Sequence, residues 1–268
     1  MGRTLSIGSH AAKALVAVLA MLGLLLVSAC SETADDDAGF RAVYSGTVNG
    51  GDMTVLGTAG GNLSFTIEGE DTRGLHVDGK DYIIFGKDKD QIVIEGTMIS
   101  ELLAESMPEG LKKMLEASPI KKVELRNDGE TEVNGRKGIG YRNAASDASG
   151  PFFVVISEDP KLKPFAKAMS KQFRTSIALN PMAKEGIFDD ALKIIESGFP
   201  IALGAGTLTE FETTDVKPET FKLPGKPLDK EATRKALIKR GMIPEKPIEL
   251  PKEVLDNLEK RLEAEAAE

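Results

Sequence analysis

The side chains of this sequence that could carry chemistry are few. Histidine occurs only as His10 and His76, and the single cysteine is Cys30. The sequence contains no Gly-x-Ser-x-Gly elbow, no Walker loop and no His-Glu-x-x-His helix. His76 lies between Leu75 and Val77, so the alternation of a strand predicts a half-exposed histidine rather than a general base. These residue types indicate that the protein is not an enzyme.

Two segments come close to known binding motifs, and each lacks an essential residue. LGAGTLTEF carries one Gly-x-Gly, but Thr209 stands at the third glycine position of a dinucleotide site. DKDQIVIEG begins like a calcium loop with Asp88 and Asp90, but Ile92 stands where the third ligand belongs. The sequence therefore predicts no cofactor and no metal site.

Cys30 follows a long apolar run near the start of the chain. Arg3 and Lys13 precede this run without any acidic residue, and residues 14–27 are uninterruptedly apolar. A helix needs about 20 apolar residues to cross a bilayer, so this run is too short and instead has the length of a secretory signal core. A buried core helix would show polar positions on one face, and this run shows none.

The residues VSAC at positions 27–30 resemble the bacterial lipobox. The resemblance implies that residues 1–29 are a signal peptide and that Cys30 is the lipidated first residue of the mature protein. Each buried CH₂ adds about 0.8 kcal/mol, so several acyl chains give a lasting membrane anchor. Ser31 stands where an inner-membrane retention signal usually has Asp. We therefore expect the protein on the outer membrane of a Gram-negative-type envelope, facing the periplasm.

The mature chain is acidic. Without residues 1–29 it carries 32 Lys+Arg and 42 Asp+Glu, a net charge of −10. Such a surface repels phosphate backbones, so nucleic acid is not an expected partner. The first ten mature residues, 30–39, are polar and acidic and predict a solvated tether with a reach of about 30 Å.

Residues 40–95 show the period-two alternation of short antiparallel strands. Four or five strands are expected in a meander, with a type I′ hairpin turn at Asp78-Gly79. Further tight turns are expected at Asp128-Gly129 and Asn134-Gly135, and strands over 151–158 and 200–216.

Apolar residues at helical spacing predict helices between these strands. One apolar stripe runs from Ile99 to Leu115 and should be interrupted at Pro108, and a second runs from Leu162 to Ile177. A shorter helix is expected over 188–197, with Gly198 as its C-terminal stop.

Residues 225–268 form a Lys/Glu-rich extension with helices expected over 229–240 and 251–265. The apolar line of the second helix is narrow, so we expect the extension to bury little area and to be dispensable for folding. Residues 227–268 are instead a predicted contact surface for other envelope proteins.

The order of strands and helices over 40–224 resembles an uncharacterised family of bacterial envelope lipoproteins related to the Lol-type lipoprotein carriers. The segments that carry the resemblance are VDGKDYIIF, VNGRKGIGYRN, FVVISEDPKLKPF, GFPIALG and ETFKLP. The resemblance implies an α+β fold in which a curved antiparallel half-barrel cups helices.

Two functions remain open from the sequence. The first is a non-enzymatic binding module for a lipid or other apolar ligand. It is suggested by methionines on the helix faces, whose flexible side chains can adapt to apolar ligands of irregular shape. The second is a structural or interaction lipoprotein with a fully packed core. A cavity between helices and sheet would distinguish them. The candidate ligand-binding residues are Leu103, Met107, Leu111, Phe165, Met169 and Phe173.

Overall fold

The computed structural model describes residues 35–46, 50–117, 122–145, 152–178, 186–204, 206–246 and 260. The described residues from Asp35 onward form one compact unit. The predicted signal peptide, Cys30 and nearly all of the helix predicted over 251–265 lie outside the described residues.

The first six strands form a meander, which has one or two strands more than the four or five that the alternating pattern predicts. They are β1 (Gly39–Ser45), β2 (Met53–Thr58), β3 (Leu63–Ile67), β4 (Thr72–Val77), β5 (Lys80–Phe85) and β6 (Ile92–Glu95). Each strand pairs antiparallel with the next. The turn at Asp78-Gly79 is confirmed, because the two residues have φ of 51° and 74°, as a type I′ turn requires.

A second meander follows and joins the first through the last strand. Its strands are β7 (Leu125–Val133), β8 (Arg136–Asn143), β9 (Val154–Ser157), β10 (Phe199–Leu203) and β11 (Gly206–Thr213). Because β11 pairs antiparallel with β1, all eleven strands of the described chain belong to one sheet, with β6 and β7 at its edges. The edges do not pair, so the sheet is not closed. The predicted α+β class with a large antiparallel sheet is confirmed.

Of the two turns predicted in the second meander, one is confirmed and one is wrong. Asn134-Gly135 links β7 to β8, with φ of 50° and 77°. Asp128-Gly129 lies inside β7, where the pairing with β8 shifts register between Asn127 and Glu130. The dipeptide forms a β-bulge there, because the flanking residues continue to pair with β8.

Five α-helices occur in the described residues. They are α1 (Gly96–Ser106), α2 (Glu109–Ala117), α3 (Ala166–Ala178), α4 (Asp189–Glu196) and α5 (Lys230–Lys239). Pro108 separates α1 from α2, as predicted. Gly198 follows α4, but its φ is not positive. A Cβ there would lie 2.6 Å from the Ser157 carbonyl oxygen, so close approach to β9, rather than a left-handed helix stop, requires glycine.

One face of the sheet is covered by helices. The Phe40 ring packs on Phe165, which precedes α3, with ring centroids 4.9 Å apart. On β5 and β6, Phe85 and Ile94 pack against residues of α1 and α5. The Tyr44 hydroxyl donates a hydrogen bond of 2.8 Å to the Pro200 carbonyl, and burial raises the pKa of this phenol, so it stays a neutral donor.

The opposite face of the first meander is also covered. Phe221, in a short 3₁₀ helix (Pro218–Phe221), packs with Leu75 and Tyr82 in one apolar cluster, and Val77 and Val216 lie against it. Strands β5 and β6 are therefore buried on both faces, with helices on one and residues 216–223 on the other.

The extension that begins at residue 225 packs into the fold over its described part. Asp229 caps α5 by accepting a hydrogen bond of 2.8 Å from the Ala232 backbone N–H. Leu237 and Ile243 are buried against Ile99 and Leu102 of α1. The expectation that this extension buries little apolar area is therefore wrong for residues 228–243. Ala236, Leu237 and Ile238 of α5 belong to this cluster with residues of α1 and the sheet.

Candidate functional site

A pocket of about 880 Å³ opens at one end of the first meander. Five segments line it: residues 36–37, the β2–β3 turn at 58–62, the β4–β5 hairpin from His76 to Gly79, one face of α3, and residues 216–221. The pocket thus lies at the end of the sheet, with α3 on one side and residues 216–221 on the other.

The β2–β3 turn joins the N-terminal segment to α3. The Gly60 N–H donates to the Asp36 carbonyl at 2.8 Å, and the Ala59 N–H donates to the Ala38 carbonyl at 2.9 Å. The Lys171 ammonium on α3 donates to the Gly60 carbonyl at 2.7 Å. A Cβ on Gly61 would lie 2.8 Å from the Lys171 side chain, and the φ of Gly61 is 114°. Two glycines in succession let three segments meet at the pocket.

The same contacts bring part of the predicted tether into the folded unit. Residues 35–38 form a turn closed by the Ala38 N–H and the Asp35 carbonyl at 2.7 Å, and β1 begins at Gly39. Asp36 and Asp37 line the pocket. The chain between Cys30 and Asp35 can span at most about 18 Å, which is shorter than the reach expected from the sequence.

His76 is buried, and the prediction of a half-exposed side chain is wrong. It is 3% exposed, and its Nδ1 lies 2.8 Å from Oδ1 of Asp81. Leu63 and Asp81 are its cross-strand partners, so all three side chains point to the helix-covered face. The prediction assumed one buried face. Residues 216–223 bury Leu75 and Val77 on the other, so His76 need not point to solvent.

Buried and exposed residues divide the pocket into a floor and a rim. Thr58, His76 and Phe221 are buried, and Val216 is half-buried. The exposed lining residues include five charged side chains: Asp36, Asp37, Asp78, Lys171 and Arg174. The pocket is therefore partly apolar at its base and charged at its mouth.

The charged side chains at the pocket mouth differ in whether they form ion pairs with other described residues. Arg174 forms an ion pair with Glu196 of α4. Lys171 bonds to a backbone carbonyl, and none of the ion pairs among the described residues includes it. Likewise, within the described parts of the chain, no ion pair includes Asp36, Asp37 or Asp78. Among the described residues, one ammonium and three carboxylates thus line the pocket mouth without an ion-pair partner.

The candidate ligand-binding residues lie in several parts of the core. Phe165 and Met169 are buried, and Phe165 contacts Phe40 of β1 and Phe211 of β11. Phe173 instead packs against Val154, Ile156 and Ile195. Leu103 packs against the cluster between α1 and α5, and Met107 and Leu111 are half-buried on either side of the helix break. None of the six lines the pocket at the sheet end.

A second pocket of about 590 Å³ lies along β8 and β9. It is lined by Arg136, whose Nε is buried without a hydrogen-bond partner in the described residues, and by the carboxylates Glu130, Glu158 and Asp159. Its lining comes from neighbouring strands and the turns at their ends, and none of the helices in the described residues contributes to it. We regard the larger pocket as the candidate site.

Sequence reasoning missed the pocket because its lining residues are far apart along the chain. The two signals that point towards it are the paired glycines at 60 and 61 and the Asp78-Gly79 turn.

Across the ranges described, no three His, Cys, Asp or Glu side chains are grouped as a metal site would require. Within those ranges, too, none of the helices has the length and apolar character needed to span a bilayer. No protein-family model matches the chain, and comparison with curated proteins and with solved structures likewise finds no match.

Proposed function

We propose that the protein is a lipid-anchored, non-enzymatic binding module of the outer membrane, facing the periplasm, whose ligand is a lipid or another molecule with an apolar part. The observation that carries the proposal is the open pocket of about 880 Å³ at the end of the sheet, with α3 on one side and Val216 and Phe221 on the other. Ligand-binding sites are concave, partly apolar pockets of this size range, so such a pocket favours a binding role.

The position of the pocket supports a membrane source for the ligand. Lipidation at Cys30 is part of the proposal, and Asp36 lies only six residues further along the chain. At about 3.5 Å per residue, the pocket mouth would lie within about 20 Å of the bilayer surface. A molecule leaving the membrane would therefore reach the pocket over a short distance.

The arrangement of helices supports the comparison with Lol-type carriers. We infer that the sheet curves as a half-barrel around α1, α3 and α5. Residues of α1 and α5 pack on β5 and β6, and Phe165, which precedes α3, packs on β1. A curved sheet would enclose helices gathered on one face and leave a cavity at its end.

Uptake of a neutral, single-chain fluorescent lipid tests the proposal. The Thr175→Trp substitution on α3 would fill part of the pocket, because Thr175 lines it, and should abolish saturable uptake. Lys167→Trp places the same side chain on the exposed surface of the same helix and should leave uptake unchanged. Absence of saturable uptake by the wild-type protein would contradict the binding proposal.

A second function, a structural or interaction lipoprotein, is favoured by the dense packing at the sheet centre. The rings of Phe40, Phe165, Phe199 and Phe211 contact one another with centroids 4.9 to 5.9 Å apart. In this alternative the helices only fill the core, and residues 227–268 contact other envelope proteins. Crosslinks to partners that disappear when residues 247–268 are removed would support it.

A further inference from the structure

The charged groups at the pocket mouth indicate what headgroup the ligand carries. Asp36 and Asp37 come from the N-terminal segment, Asp78 comes from the β4–β5 turn, and Lys171 comes from α3. Gly60 accepts a hydrogen bond from the Lys171 ammonium through its carbonyl oxygen and donates its N–H to the backbone carbonyl of Asp36, and no ion pair joins Lys171 and Asp36 in the described structure. The same turn thus brings a cationic and an acidic residue to the pocket mouth.

This arrangement distinguishes between classes of ligand. The three carboxylates at the mouth repel a simple anion such as a fatty acid, and a simple cation would leave the Lys171 ammonium without an anionic partner. A ligand that carries both charges can satisfy both sets of groups at once. A carboxylate at the mouth can accept hydrogen bonds from a primary ammonium, and Lys171 has two further N–H donors for an anionic oxygen.

We propose that the pocket binds a zwitterionic amphiphile whose headgroup combines a primary ammonium with an anionic group, as phosphoethanolamine does. The ammonium lies against the Asp side chains, the anionic group lies at Lys171, and the apolar chain enters beside Val216, Pro218 and Phe221. This inference rests on the proposed binding function and adds its ligand class.

Two matched pairs of variants separate headgroup recognition from folding. Asp78→Asn removes one carboxylate but keeps the turn, because Asn-Gly is a favoured type I′ pair. Its control is Glu70→Gln, in the exposed turn at the opposite end of β3. Lys171→Gln removes the free ammonium, and its control is Lys167→Gln, one turn earlier on α3 and exposed.

The experiment uses the full lipidated chain in phosphatidylcholine vesicles. Three photoactivatable single-chain lipids share one acyl chain and carry phosphoethanolamine, phosphoglycerol or uncharged glycerol, and labelled peptides are located by mass spectrometry. We expect the phosphoethanolamine probe to label pocket peptides about tenfold more than the phosphoglycerol probe, which corresponds to one charge-assisted hydrogen bond. Asp78→Asn and Lys171→Gln should each remove most of this preference, and both controls should keep it.

The other outcomes are distinguishable. Equal labelling by all three probes would overturn the headgroup inference and leave the binding proposal standing. Absence of pocket labelling by any probe would overturn both. Competition by free phosphoethanolamine as strong as that by the single-chain lipid would show that the apolar chain is not recognised. Stronger competition by a zwitterionic dipeptide would assign the pocket to peptides; either result would overturn the inference.

Discussion

At the scale of single residues, the His76–Asp81 pair is the most consequential polar contact of the core. Both side chains lie on the helix-covered face, and His76 also lines the pocket. Oδ2 of Asp81 is buried and has no hydrogen-bond partner among the described residues. The carboxylate therefore depends on His76 for its described side-chain contact, and loss of the imidazole would leave it unsatisfied.

We expect His76→Leu to lower the free energy of unfolding by about 1–3 kcal/mol, the usual cost of a buried polar group without its partner. The double variant His76→Leu/Asp81→Leu should recover part of that loss, because no buried charge then remains. Urea unfolding of the wild type, both single variants and the double variant measures the coupling. If the double variant lost the full sum of the free energies of unfolding lost by the two single variants, the two side chains would not depend on each other.

Local turn chemistry was predictable from the sequence, whereas side-chain orientation was not. Asp78-Gly79 and Asn134-Gly135 form turns because positive φ is required at both positions and these residue types adopt it readily. The bulge at Asp128-Gly129 and the burial of His76 depend on the neighbouring strand and on a covering segment more than 100 residues away. A local sequence pattern contains information about neither the neighbouring strand nor the distant covering segment.

At the scale of elements, helix α5 shows how a mostly charged segment becomes part of the core. Only a few of its residues are apolar, but Leu237 and the buried Thr233 face α1 and the sheet. The Leu228 N–H donates to the Val93 carbonyl at 2.9 Å, which covers part of edge strand β6. The sequence predicted the bounds of this helix well, but its packing depends on a complementary surface on α1.

Leu237→Ala should lower the free energy of unfolding by about 2–5 kcal/mol, because it leaves a cavity between α5 and α1. Met242→Ala is the matched control, since Met242 is 41% exposed, and should change stability by less than about 0.5 kcal/mol. Both are measured by urea unfolding. A neutral Leu237→Ala would restore the expectation that the extension is dispensable.

Electrostatic contacts between the same helices should make stability depend on pH. Lys230 donates a hydrogen bond to Glu105, and this contact, together with Arg234, lowers the pKa of the Glu105 carboxyl below its usual value. A depressed folded-state pKa stabilises the protein above the unfolded-state pKa of about 4.3, and the contribution is lost as the pH falls through the folded-state value.

Glu105→Gln should therefore lower Tm at pH 7 by a small amount and leave it unchanged near pH 3. The effect is small because the side chains are exposed, and 1 M salt should reduce it further. Thermal melts of both proteins at the two pH values provide the test, with Glu70→Gln as the control. A Tm difference that is the same at both pH values would show that the ion pairs do not stabilise the helix contact.

At the scale of the whole molecule, the pairing of β1 with β11 at the centre of the described sheet joins the two meanders. The pocket needs this arrangement: the first meander supplies its turns, and the helix after the second meander's β9 supplies Lys171 and Thr175. Composition and alternation predicted a large antiparallel sheet, but not which distant segments meet at its end. For this reason, the ligand-binding residues predicted from the sequence lie on apolar helix faces and not in the pocket.

The proposed anchor gives a prediction for the whole chain. Cys30→Ala should abolish incorporation of labelled palmitate and leave an uncut precursor, because Cys30 is the only thiol of the chain. Metabolic labelling and membrane fractionation measure both effects. Unchanged palmitate incorporation in the variant would contradict lipidation at Cys30 and the short distance between pocket and bilayer that follows from it.

The most direct test of the binding proposal is native mass spectrometry of the chain from Ser31 onward, purified from cells without detergent. We predict a complex whose mass exceeds that of the polypeptide by one amphiphile, which is released when the protein unfolds and is lost in Thr175→Trp but kept in Lys167→Trp. A wild-type spectrum that shows only the bare polypeptide, from protein that melts cooperatively, would contradict the account.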